Sequence, residues 1–183
     1  PPNRLALHPT GRAAAVAVGE DLYLVKVGAA SLELAEGKAL PGVGEQKALC
    51  FSPEGELLCA GGADGTISVW SYPSLRPRAE LEAAHADGVT DVALGPGGVL
   101  LTVSSEALGT EGRGAKVWKV EGSELRLRHT LSDHGLGGGR VVLRGAAVAP
   151  SGAAAFTGAN HGGGGSVLRW DCQRGWQRSG PST

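Results

Sequence analysis

Methionine is absent from all 183 residues, and aromatic side chains are scarce, with four Trp, two Tyr and two Phe. A chain without Met reads as an excised piece rather than a complete gene product. The longest uninterrupted apolar run is Ala13–Val18, far short of the ~20 residues a membrane-spanning helix needs. The opening Pro1-Pro2-Asn3-Arg4 leads into no signal-peptide core. Neither sign of charge is in excess: 17 Lys and Arg oppose 18 Asp and Glu, which gives no basic field for nucleic acid and no acidic store for cations. Cysteine is sparse and odd in number. Cys50, Cys59 and Cys172 contain no C-x-x-C pair, so reduced, buried thiols in a cytosolic setting are expected rather than a disulfide framework. What the chain has in abundance is small residues: 31 Gly and 26 Ala make up nearly a third of it. Hydrophobic residues at 42% still suffice for a core.

The punctuation is periodic. Pro-x-Gly recurs as Pro9-Thr10-Gly11, Pro53-Glu54-Gly55, Pro96-Gly97-Gly98 and Pro150-Ser151-Gly152, at intervals of 44, 43 and 54 residues. Each copy follows a short apolar segment (Leu5–Leu7, Ala48–Phe51, Val92–Leu94, Ala146–Val148) and precedes another (Ala13–Val18, Leu57–Ala60, Val99–Val103, Ala153–Phe156). Proline presets φ and the glycine accepts a positive φ, so each copy is a tight turn between two strands. A third strand closes each unit, ending in Trp70, Trp118 and Trp170 in the last three and running Leu22–Val27 in the first. Asp64-Gly65 is a two-residue hairpin signal. Fourth strands are expected at Ser31–Leu34, Arg78–Leu81, Leu125–Leu131 and Trp176–Arg178.

Four short strands per ~40–45 residues, with Trp170-Asp171 at the end of one of them, is the pattern of a WD-repeat propeller blade. The expected fold is therefore all-β: a partial WD-repeat β-propeller of about four four-stranded antiparallel blades in an open arc, with blades near 1–38, 39–80, 81–132 and 133–183. Ala79–Ala84 has helical propensity instead, and the repeat register overrides it. Propellers of this type close with about seven blades, within a general range of roughly 4–8. An open arc leaves apolar faces on its end blades. Residues 1–183 alone are thus expected to aggregate or to unfold over a broad temperature range. A sharp monomeric transition in calorimetry and sedimentation would overturn this.

From Leu57 to Val103 the chain carries Ala60-Gly61-Gly62-x-Asp64-Gly65, Val69-Trp70, Pro73-Ser74-Leu75, Ala84-His85, Asp91, Ala93-Leu94-Gly95-Pro96, Gly98 and Thr102-Val103. These features resemble the blades of the endoplasmic-reticulum guanine nucleotide exchange factors for the Sar-type GTPase of COPII coats, the Sec-twelve-like or prolactin regulatory element-binding protein family. Thr157–Asn160 and Gly165–Trp170 resemble a later blade of its plant members. The resemblance covers about two-thirds of the chain. It implies a cytosol-facing propeller at the endoplasmic-reticulum membrane, acting on a small Sar-type GTPase in transport to the Golgi. It also implies a C-terminal membrane helix and a glycine-rich, potassium-binding loop with a Gly-Ile-x-Asn signature. Neither that helix nor that signature occurs in these residues, so no cofactor is assigned to this segment, and the remaining blades are expected from elsewhere in the parent. The alternative is a WD scaffold without exchange activity, such as a transporter exit facilitator or a ligase adaptor.

Candidate sites divide into fold residues and partner contacts. In regular WD blades a hairpin Asp, a third-strand Trp, a Ser/Thr and a loop His form a buried hydrogen-bonded network, and Asp64, Trp70 and His85, with Trp118 and Trp170, occupy matching positions. No unit carries the full set, so the network is expected to be partial. Gly109–Lys116 misses the P-loop pattern by one residue and runs into a strand rather than a helix. His8, His85, His129, His134 and His161 show no metal-ligand spacing. Asp133-His134 reads as a worn entry to the fourth unit, and Ser104-Ser105 has no nucleophile elbow. Glu106 and Glu111 read as solvated charges, and Gly162–Gly165 as a flexible hairpin tip rather than the potassium loop. No bond-making or bond-breaking site is expected. Trp176 either anchors a partner or covers the outer edge of the last blade. The long insertions 104–114 and 158–165 share one rim, and Arg113, Asn160 and His161 are the expected partner contacts.

Overall fold

A computed structural model of the chain describes residues 2–40, 45–104, 114–132, 141–161 and 164–179. The first unit contains β1 (Pro2–Leu7), β2 (Ala13–Val18), β3 (Asp21–Val27) and β4 (Leu32–Leu40). The second contains β5 (Gln46–Phe51), β6 (Leu57–Gly62), β7 (Ile67–Ser71) and β8 (Arg76–Leu81). The third contains β9 (Val89–Leu94), β10 (Val99–Ser104), β11 (Ala115–Glu121) and β12 (Glu124–Leu131). The fourth contains β13 (Val141–Val148), β14 (Ala154–His161), β15 (Gly164–Asp171) and β16 (Gln177–Ser179). Each unit is one four-stranded antiparallel sheet with its strands in chain order. The segment of helical propensity is strand through Leu81 and turn after it.

The four sheets are arranged about an axis. The first strands pack in succession, β1 on β5, β5 on β9 and β9 on β13, and no comparable packing returns β13 to β1 among the described residues. The chain is thus a partial propeller, four blades in an open arc, as the repeat predicts.

The Pro-x-Gly turns join first to second strands. Gly11, Gly55 and Gly152 have φ of 70°, 76° and 71°, and Gly97 and Gly98 share the role at 65° and 78°. In three of the turns the glycine amide donates back to the residue before the proline: Gly11 to His8, Gly55 to Ser52 and Gly152 to Ala149. The first of these turns also seats an aromatic group. His8 lies edge-on to Phe51 with ring centroids 5.1 Å apart and sits 4.7 Å from Tyr72, while its Nε2 meets the Gly55 carbonyl at 3.1 Å.

Side chains alternate between the two faces of a strand, so each inner sheet feeds two cores. Leu58, Ala60 and Trp70 join Ala6, Ala15, Ala17 and Leu22 between blades one and two. Cys59, Ile67 and Val69 face the other way and meet Val89, Val92, Leu100 and Trp118 between blades two and three. Leu101, Val103 and Val117 pack with Leu143, Ala155, Leu168 and Trp170 between blades three and four. Among the described residues the two outermost faces lack such a partner: Leu5 and Leu7 on blade one are 64% and 57% exposed, and Val167 on blade four 75%.

Asp64-Gly65 turns β6 into β7, with Asp64 Oδ1 accepting the Thr66 amide at 3.0 Å. Gly65 has φ +84°, and a Cβ there would lie 2.0 Å from the His85 carbonyl oxygen. This glycine lets the hairpin touch the loop that leads into blade three, where the His85 amide donates to the Gly65 carbonyl at 3.3 Å. Gly65→Ala therefore adds a backbone clash to left-handed strain and should lower unfolding free energy by about 1–3 kcal/mol. Gly19→Ala, at φ +63° with nothing within 4 Å, carries only the conformational part, about 1–2 kcal/mol. Urea denaturation of both variants checks the order; a Gly65→Ala loss no larger than that of Gly19→Ala removes the hairpin–loop contact from the account.

Candidate functional site

Three of the network residues meet in blade three. His85 Nε2 lies 2.7 Å from Thr102 Oγ1, and the Trp118 indole donates to the same oxygen at 2.9 Å. His85 and Thr102 are buried, so one hydroxyl ties the entry loop to the second and third strands. Blade four repeats half of this, with Trp170 Nε1 donating to Thr157 Oγ1 at 3.0 Å. Blade two does not. Two residues beyond the strand partner of the Trp, β6 carries Ala60 where β10 and β14 carry Thr102 and Thr157, so no β6 hydroxyl receives the Trp70 indole. Asp64 is exposed and closes its own turn rather than joining His85. The structure thus gathers His85 and Trp118, keeps Trp170 in a separate pair, and leaves Asp64 and Trp70 apart from both. Thr102 and Thr157, which make these contacts, carry no role in the sequence reading. The signal that finds them is a Thr on the second strand of a unit whose third strand holds Trp.

Polar pins also join the inner strands. Thr90 Oγ1 donates toward the Val103 carbonyl at 3.1 Å and the Leu143 carbonyl at 2.9 Å. Asp91 Oδ2 accepts the Ala146 amide at 2.8 Å, and Oδ1 accepts the Val92 amide at 2.9 Å. Burial pushes the Asp91 carboxyl above its ordinary value, against the pull of those two amides and of the Arg4 charge. Arg4 Nε donates to the Lys47 carbonyl, joining blade one to blade two.

Trp176 turns out to be an edge cover. It is half-buried at φ +63°, packs on the core between blades three and four, and lies 6.2 Å from the His129 ring. Cys50 and Cys59 sit opposite each other on β5 and β6. The neighbouring Cys50 thiol and burial both push Cys59 well above the usual thiol range, and burial raises Cys172, so the Cys59 and Cys172 thiols stay protonated at neutral pH. Among the described residues no group of three or more His, Cys, Asp or Glu is placed to hold a metal, and no helix is long and apolar enough to cross a membrane.

On the rim, Asn160 is exposed and pairs with Gly165, and His161 ends β14 opposite Gly164. Arg113, Ser105, Glu106, Gly109–Gly112, Asp133, His134, Gly162 and Gly163 lie outside the described residues.

Comparison with known proteins adds a sequence kinship to the fold. Residues 43–71 match the WD domain, G-beta repeat family. Over 58 residues the chain is 47% identical to the guanine nucleotide-exchange factor SEC12 of Rattus norvegicus, a stretch covering 32% of this chain and 14% of that protein. The SEC12 of Mus musculus is 45% identical over the same length. SEC12-like protein 2 of Arabidopsis thaliana is 45% identical over 49 residues, 27% of this chain and 12% of that one. The matched stretch is thus a small part of each relative. Hydrazine synthase of Kuenenia stuttgartiensis superposes with a TM-score of 0.72 over 95% of this chain and 47% of its own, at 17% identity, a likeness of fold alone. The chain is a propeller arc in which residues 43–71 match the WD repeat and one segment resembles the SEC12 exchange factors.

The shared hydroxyl yields a graded test. Thr102→Val leaves both the Trp118 indole and His85 without that oxygen, while Thr157→Val removes an acceptor from one indole only. A buried group that loses its partner costs about 1–3 kcal/mol. Thr102→Val should therefore destabilise more than Thr157→Val, measured by urea denaturation with Trp fluorescence. Equal losses would mean that the His85 contact contributes nothing.

Proposed function

We propose that this chain forms part of the propeller of a guanine nucleotide exchange factor for a small Sar-type GTPase, working in COPII vesicle formation on the cytosolic face of the endoplasmic reticulum. The observation that carries the reading is the 47% identity to SEC12 over 58 residues. Exchange makes and breaks no bond: the factor stabilises the nucleotide-free GTPase better than the nucleotide-bound form, which is catalysis by differential binding. A scaffold suits that task when its loops are held by a rigid frame. Here the frame is three inter-blade cores and the Thr90, Asp91 and Thr102 pins. We assign the GTPase contact to the rim where second-to-third-strand loops and inter-blade loops are expected to emerge together, with Arg113, Asn160 and His161 as its side chains.

The test uses the complete protein that contains this chain, with a Sar-type GTPase loaded with fluorescent GDP. Accelerated release is expected. The double substitution Arg113→Glu and His161→Ala should weaken binding of the nucleotide-free GTPase about tenfold with no change in melting temperature. Unchanged affinity removes the rim from the contact. Tight binding without accelerated release favours the scaffold reading instead.

A further inference from the structure

The four inner strands share an irregularity. Register slips between Pro2 and Arg4 on β1, Gln46 and Ala48 on β5, Leu143 and Gly145 on β13, and where Val103 and Ser104 of β10 face Asp91 and Val89 of β9. The extra residues are Asn3, Lys47, Thr90 and Arg144, each six positions before the proline of its Pro-x-Gly turn. A bulge breaks the alternation of a strand and re-aims the side chain that it carries. Three of these four, Lys47, Thr90 and Arg144, line one depression of about 320 Å³ together with Arg4, Ala63 and Gly88.

The charge in this depression is one-sided. Arg4, Lys47 and Arg144 enter it from blades one, two and four, and among the described residues no carboxylate lines it. Two nearby acids, Asp91 and Glu45, already have partners. Both Asp91 oxygens accept backbone amides, and Glu45 pairs with Lys47 in a bridge whose side chains are 48% and 41% exposed, a weak contact that an anion can displace. Arg4 is anchored by its Nε on the Lys47 carbonyl. Arg144 is exposed and, among the described residues, makes no hydrogen bond or ion pair. The wall is backbone: at Gly88 a Cβ would lie 2.7 Å from the Ala63 carbonyl oxygen, and the Ala63 amide is held by Glu45 at 2.8 Å. With a formal net charge of −1 over the whole chain, this is a local field and not a generally basic surface.

We propose that the bulges of the inner strands build a binding site for a phosphate group, with Arg144, Arg4 and Lys47 as its ligands. Three cations converging from three blades suit a tetrahedral anion with oxygens on several sides. A planar carboxylate presents two oxygens and occupies one guanidinium fork. Thr90 shapes the floor without offering a proton, since its hydroxyl points to the Val103 and Leu143 carbonyls. The same chemistry accepts inorganic phosphate or a phosphate monoester.

Equilibrium dialysis of radiolabelled inorganic phosphate against the complete protein, at constant ionic strength in sodium chloride, should show one saturable site. Competition by glycerol 3-phosphate assigns the site to phosphoryl groups generally; lack of competition assigns it to the free ion. Arg144→Ala and Lys47→Gln should each weaken binding about tenfold, the loss of one charge-assisted hydrogen bond. Both side chains are at least partly solvent-exposed, so the melting temperature should hold and a loss of binding can be separated from a loss of fold. Absence of saturable binding, or wild-type affinity in both variants, overturns the proposal.

Discussion

A four-stranded sheet has two faces, and in this protein each face is buried only by the blade beside it. Leu100 and Leu101, neighbours on β10, show the constraint most plainly. Both are fully buried, yet Leu100 packs toward blade two and Leu101 toward blade four. Burying such a side chain is worth roughly 1.5–3 kcal/mol, and here that gain exists only while both neighbours are in place. No blade owns a core. Stability is a property of adjacent pairs, as in other repeat architectures, and Leu5, Leu7 and Val167 stay exposed because no described strand packs over those two faces.

The abundance of alanine follows from the same constraint. Ala15, Ala17, Ala60 and Ala155 have no measurable exposure and lie at the blade junctions. Large side chains at every inward position would hold the sheets apart. Small ones near the strands of one blade leave room for Trp70 or Trp170 from the third strand to fill the junction. A composition that looks poor in core material is what close radial packing of twisted sheets requires, with few large residues placed at fixed points.

Much of this architecture is legible in the sequence because its signals are local. Pro-x-Gly marks a turn through the φ preferences of two residue types, and Trp70, Trp118 and Trp170 mark the third strands by period alone. The expected fourth strands correspond to β4, β8, β12 and β16. The hydrogen-bonded contacts were less legible because the spacing between partners drifts with loop length. Thr102 is 16 residues from Trp118, whereas Thr157 is 13 from Trp170, so no fixed interval finds the hydroxyl. Asp64 looked like a network member because it precedes Gly65 in the right hairpin, but its carboxylate is taken by the Thr66 amide two residues on. The bulges left no mark at all. One additional residue in a strand changes neither composition nor hydrophobicity, and Lys47 and Arg144 have no role in the sequence reading.

The inner strands show how a repeat separates packing from chemistry. Five residues before each proline stand Arg4, Ala48, Asp91 and Gly145. Arg4 and Asp91 bond across a blade boundary, through a guanidinium and a carboxylate respectively, while Ala48 is simply buried. One position earlier, Thr90 pins blade three to blade four, yet Lys47 and Arg144 at the same place turn into an open depression. The backbone geometry is shared, since every one of these strands carries the bulge, but the side chains differ in kind. Where the bulged backbone and the flanking apolar residues already hold a blade in place, the bulge residue is free of structural duty, and a charge there meets little packing resistance. That freedom explains why cations collect at this end of the axis in a chain whose overall charge is almost nil.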